Sequence, residues 1–127
     1  MKIRVYYEDT DLGGVVYHSN YLNYCERARS ELFFSKGKSP VMHGGHFVAK
    51  HIEADYKKPA RFADELEVKT ELLTMKYASF TLLQTIYRGE EKLFDMKIKL
   101  AYLTHNGEIG RFDEETRDYL LGIISQS

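Results

Sequence analysis

The chain has 127 residues, 43% of them hydrophobic and 29% charged, with a formal net charge of −1. That length predicts a single domain over 1–127 with one core. The balanced charge, without a run of Lys or Arg, argues against a nucleic-acid or anionic-membrane partner, and no apolar stretch approaches the roughly 18 residues that span a bilayer.

The opening Met1-Lys2-Ile3-Arg4 goes directly into strand pattern rather than into the apolar core of a signal peptide. The one cysteine, Cys25, fits a reducing compartment. A cytoplasmic protein is expected. Ile3, Val5 and Tyr7 alternate with Lys2, Arg4 and Tyr6, the period of two that predicts a first strand. Extended backbone continued to Asp11 would project Tyr7, Asp9 and Asp11 to one side. Gly13-Gly14 then permits a sharp change of direction, and Ser19 or Asn20 is a candidate N-cap. From Tyr21 to about Lys36 the pattern is helical, with Tyr21, Tyr24, Cys25, Ala28 and Leu32 on one face and Gly37 as its stop. Phe33 and Phe34 lie round from that seam, so cover from more than one side is expected there.

Four strand patterns follow a loop over Ser39 to Gly45. Phe47 to Tyr56 carries Val48, Ile52, Ala54 and Tyr56; Glu65 to Met75 carries Leu66, Val68 and Leu72. Ala78 to Tyr87 carries Phe80, Leu82 and Ile86; Leu93 to Leu103 carries Phe94, Met96, Ile98, Leu100 and Tyr102. Arg88-Gly89-Glu90-Glu91 reads as a hairpin turn and Asn106-Gly107 as another. Asp113 then caps a short helix with Tyr119, Leu120, Ile123 and Ile124 in a stripe. The order β-α-β-β-β-β-α predicts an α+β fold with the long helix on one sheet face.

The stretch Tyr7-Glu8-Asp9-Thr10-Asp11-Leu12-Gly13-Gly14-Val15-Val16-Tyr17-His18-Ser19-Asn20-Tyr21 concentrates the chemistry. It delivers carboxylates to a helix N-terminus, whose free N–H groups can meet charge developing on an oxygen. That is the layout an acyl-transfer or hydrolysis site needs. Two other readings of Asp9-x-Asp11 fail. A haloacid-dehalogenase-type phosphatase needs a doubly wound parallel sheet. A calcium loop starting at Asp9 needs Glu at its twelfth position, which is Asn20. His43 and His46 lack a third ligand for a metal, and Cys25 on the apolar helix face reads as an inert core thiol.

The same stretch, followed by Glu26-Arg27-Ala28-Arg29, resembles the signature of the 4-hydroxybenzoyl-CoA thioesterase family, within it the YbgC-type acyl-CoA thioesterases. A second segment, Lys58-Pro59-Ala60-Arg61-Phe62-Ala63-Asp64-Glu65-Leu66, matches in the right order. The resemblance implies a hotdog fold, a long antiparallel sheet wrapped around a central helix. It implies a cytoplasmic homo-oligomer, a dimer or a dimer of dimers (a homotetramer), with active sites at the subunit interface.

The implied reaction is hydrolysis of acyl-CoA without metal or other cofactor. Asp11 is the implied nucleophile or general base, and the N–H at His18 the oxyanion donor, although some members carry Tyr at this position. Tyr7 is a supporting residue, and Lys57, Lys58 and Arg61 face the CoA phosphates. A thioester suits so sparse a site, because its thiol leaving group, with a reference pKa near about 8.5, departs as thiolate without a strong acid. The alternatives are hydrolysis of acyl groups on acyl carrier protein, or a CoA-binding scaffold with little turnover.

Overall fold

The structure is a computed structural model describing residues 1–37 and 45–124. Strand β1 (Lys2–Arg4) is followed by a 3₁₀ turn at Tyr7–Asp9 and helix α1 (Asn20–Phe34). Then come β2 (His46–Tyr56), β3 (Glu65–Met75), β4 (Ser79–Arg88), β5 (Glu91–Leu103) and α2 (Glu114–Ile124). All neighbouring strands are antiparallel, in the order β1-β3-β4-β5-β2.

Strands β1 and β2 form opposite edges of the sheet, so the chain between them must cross its full width. The segment before α1 makes that crossing, since the His18 carbonyl already accepts from Tyr56 on β2. Helix α1 then runs along the strands, Tyr21 meeting Tyr56 and Phe94, Arg29 meeting Gln84 and Phe33 meeting Phe47, with its buried Tyr21, Tyr24, Cys25 and Ala28 on the inner face.

The inner face is built in rows across the strands. Leu72, Leu82, Ile98 and Ile52 form one, and Val68, Ile86, Phe94 and Tyr56 another. The predicted alternation places the inner residues of β3, β4 and β5, with two polar intruders: Gln84, fully buried, and its cross-strand neighbour Thr70. On β2 the prediction fails in part. A bulge at Lys50 breaks the register, so Phe47 and Ala49 stand opposite Tyr102 and Leu100, and Val48 faces the other way. The extra residue resets the parity, which is the ordinary effect of a bulge.

The turns form where expected. Gly89 at φ 62° and Gly107 at φ 80° occupy the left-handed region that glycine tolerates, and Asp113 Oδ1 accepts from the Thr116 N–H at 2.8 Å to cap α2. Phe33 is buried between Phe47 and Tyr119, whereas Phe34 is exposed, so the end of α1 is covered on one further side only.

Candidate active site

The segment after β1 departs from the predicted strand. Tyr6 N–H donates to Asp9 Oδ2 at 2.9 Å, and Asp9 and Thr10 N–H reach back to Tyr6 and Tyr7 carbonyls, winding Tyr7–Asp9 into a 3₁₀ turn. Local bonds from an Asp side chain compete with extension in this way. Tyr7, Asp9 and Asp11 consequently do not share a face. Asp9 is buried; Tyr7 is 82% exposed, its ring edge-on to Phe62 at 6.0 Å; Asp11 is exposed. Asp9 is a structural carboxylate. Its carbonyl accepts from the Tyr17 N–H and from Asn20 Nδ2, and the Tyr24 phenol faces it, its pKa pushed up by burial and by the Asp9 charge.

Asp11 opens a tight loop. Its N–H donates to the Val15 carbonyl at 2.9 Å, its carbonyl accepts from Gly14 at 3.1 Å, and its Oδ1 accepts from Gly13 N–H at 2.8 Å. Gly14 sits at φ 77°, which a side chain would strain. The returning limb pairs Val16 with Thr10 and runs into α1. Ser19 occupies the N-cap position, but its side chain caps nothing. Asn20 instead ties the helix start to Asp9. Among the described residues, no protein acceptor is paired with the N–H groups of His18 and Ser19. Free N–H groups at a helix N-terminus can receive negative charge on an oxygen.

The second motif is bonded directly to the first. Val16 N–H donates to the Ala60 carbonyl, Val15 bridges to Arg61, and the buried Ala60 N–H donates to the Tyr21 phenol at 2.9 Å. Ala63, at φ 71°, exchanges backbone bonds with Val5 through its own N–H and the Asp64 carbonyl. Two segments some forty residues apart in sequence are one structural unit.

Tyr56 completes it. Its hydroxyl donates to the His18 carbonyl at 2.7 Å, and its ring meets Tyr21 at 5.3 Å and Phe94 at 4.9 Å. Read in sequence as an inner strand residue, Tyr56 also fixes the helix entry; its place at the strand end, just before Lys57-Lys58-Pro59, was the available signal.

His18, Tyr56, Lys57 and Lys58 line one groove, with Val16, Tyr21 and Pro59 as its apolar wall. The His18 ring is exposed and lies 4.4 Å from that of Tyr17. Lys57 is held by Asp55 at 3.0 Å, a hydrogen bond that raises its pKa, and Lys58 by Glu91 at 2.8 Å. Arg61 is exposed, and among the described residues its guanidinium has no carboxylate partner. Asp11, Tyr7 and Arg61 stand outside the groove lining. His43 lies outside the described residues, and among those described no cluster of three His, Cys, Asp or Glu forms a metal site. Burial pushes the Cys25 thiol up to about 12, as suits an unreactive core residue.

The model of the thioesterase superfamily matches residues 13–94, more than half of the chain. This chain belongs to the thioesterase superfamily. Relatives and solved structures agree with that membership. An acyl-CoA thioesterase YbgC from Helicobacter pylori is 49% identical over 84% of this chain and 86% of its own. An acyl-CoA thioester hydrolase YbgC from Escherichia coli is 40% identical over 73% and 72%. The crystal structure of a probable thioesterase from Bartonella henselae superposes with a TM-score of 0.83 at 33% identity, covering 89% of this chain and 97% of that one. As in other superfamily members, the antiparallel sheet and the helix packed against it form a hotdog fold. No helix is long and apolar enough to cross a membrane among the described residues.

Proposed function

We propose that this chain hydrolyses acyl-CoA to a free carboxylic acid and CoA at the loop between Asp11 and the start of α1. The observation that carries the reading is the exposed Asp11 carboxylate on a loop that ends at the unpaired N–H groups of His18 and Ser19. The thioester oxygen is received by those amides, which stabilise the negative charge it gains as the carbonyl carbon becomes tetrahedral. Asp11 either takes the proton of the attacking water or itself attacks to form a mixed anhydride that water then opens. In both routes the C–S bond breaks and CoA leaves as thiolate.

Lys57, Lys58 and Arg61 receive the phosphates of CoA, with Arg61 the cation already free of a carboxylate. Tyr7 supports the site from the exposed side. The assembly is a dimer, or a pair of dimers, joined through β2. Support comes from that edge strand, where Ile52 is 40% and Tyr56 47% exposed although both face inward.

The test is thiol release from short-chain, long-chain and aromatic acyl-CoAs by the parent protein and by Asp11→Asn. The variant keeps shape and polarity and loses basicity. The expected result is turnover of part of the panel by the parent and a fall of about 10²–10⁴-fold in the folded variant. Equal rates would remove Asp11 from the chemistry. Binding of CoA thioesters without any turnover would point to a carrier-protein substrate or a binding role.

A further inference from the structure

A second cavity, of about 290 Å³, lies between α1, α2 and the sheet, beside the C-terminal half of α1. Its wall is mainly apolar, with Leu32 and Phe33 from α1, Phe47 and Leu82 from the sheet, and Leu120 and Ile123 from α2. Into it comes one cation, Arg29, with Ser30 beside it and Glu26 one turn back.

The guanidinium is held by a neutral partner. Arg29 Nη1 donates to Gln84 Oε1 at 2.8 Å, and Gln84 is itself clamped, its Nε2 donating to the Cys25 carbonyl at 3.0 Å and to Thr70 Oγ1 at 3.1 Å. The clamp fixes the amide so that its oxygen faces Arg29. Among the described residues no carboxylate lies within ion-pair distance of Arg29, and burial lowers its pKa. Glu26, one turn back, offsets part of that burial, but among the described residues no carboxylate is bonded to the guanidinium, and an anion arriving from outside relieves the remaining cost.

We infer that this cavity binds a free aliphatic carboxylate, its chain against Phe33, Phe47, Leu82 and Leu120 and its head group on Arg29. A carboxylate takes two parallel N–H bonds from a guanidinium, and the Ser30 hydroxyl can donate a third. The volume is at the small end of ligand pockets, about 300–1,000 Å³. It accepts one chain and excludes a nucleotide. Glu26 is the one acidic group on the lining, and its charge opposes the ligand. The site is separate from the groove at His18, some eleven residues back along the chain, or about 16 Å at helical rise. Its ligand is of the class that thioester hydrolysis releases; that link rests on the proposed activity, whereas the binding does not.

The experiment is calorimetric titration of the full chain with sodium decanoate below its micelle concentration, with decan-1-ol as the uncharged control. Saturable binding at one decanoate per chain is expected. Arg29→Met should weaken it about tenfold or more, Arg29→Lys should recover part of the loss, and Glu26→Gln should tighten it. Decanol affinity should be the same in the parent and in Arg29→Met. Circular dichroism and a melting curve on each variant separate lost binding from lost folding, and a tighter Glu26→Gln is an outcome that misfolding cannot produce. Equal decanoate affinity in the parent and Arg29→Met, or no saturable binding to the parent, overturns the inference. A second arm compares thiol release from dodecanoyl-CoA and from its ω-carboxyl analogue. Preference for the analogue, abolished by Arg29→Met, with no binding of decanoate, would show that Arg29 reads the far end of a substrate instead. Failure of the hydrolase reading would appear as absent thiol release and leave the titrations untouched.

Discussion

One residue separates Asp9 from Asp11, and the 3₁₀ turn before them sends the first carboxylate inward to the Tyr6 N–H and leaves the second at the surface. The inner one organises the loop; the outer one accepts from Gly13 N–H and is otherwise open to solvent, where the proposed reaction needs it. His18 divides differently, between main chain and side chain. Among the described residues its N–H has no acceptor, while its carbonyl is occupied by Tyr56 and its ring is exposed. In the proposed mechanism the backbone is the working part. His18→Ala is expected to keep thiol release within about tenfold of the parent, far less than the loss in Asp11→Asn. A loss of His18→Ala activity as deep as that of Asp11→Asn, in a folded protein, would transfer the role to the imidazole.

At the scale of the element, legibility followed period. Strands β3, β4 and β5 were readable because each carries a run of alternating apolar residues, Leu66 to Leu72, Phe80 to Ile86 and Phe94 to Tyr102, that faces the core. The start of β2 was not, because the bulge at Lys50 moves Val48 to the opposite face, and nothing in composition marks the inserted residue. The turn at Tyr7–Asp9 was hidden for another reason. Ile3, Val5 and Tyr7 do alternate, but a single side-chain bond from Asp9 to Tyr6 N–H outweighs that weak pattern. The Asp11 loop and the helix start were legible through motif; the bonds that join them to Ala60 and Tyr56 are long-range and leave no local trace. Helix α2 was legible through its cap. Asp113→Ala removes the bond to Thr116 N–H and is expected to lower stability by about 1 kcal/mol in urea unfolding. No change in midpoint would mean that packing of Leu120, Ile123 and Ile124 alone holds the helix.

The whole molecule is asymmetric in its exposure. The β1 edge is short, whereas β2 offers eleven residues with Ile52 and Tyr56 incompletely covered. Pairing of β2 with a second copy gives these side chains neighbours that one chain does not supply. Ile52→Glu places a charge in that contact and is expected to sediment as a monomer with an unchanged circular dichroism spectrum, the parent sedimenting as a dimer or larger. A variant that sediments like the parent would move the interface elsewhere.

The bulge at Lys50 has a bearing on this edge while the chain is still alone. A long, flat, apolar margin is a template on which further strands stack without limit, as in fibrils. The break at Lys50 divides the edge into two runs, 46–49 and 51–56, so a strand added in simple register cannot continue through both without a matching irregularity. The irregularity that disguised β2 in the sequence thus shortens the template open to a further strand.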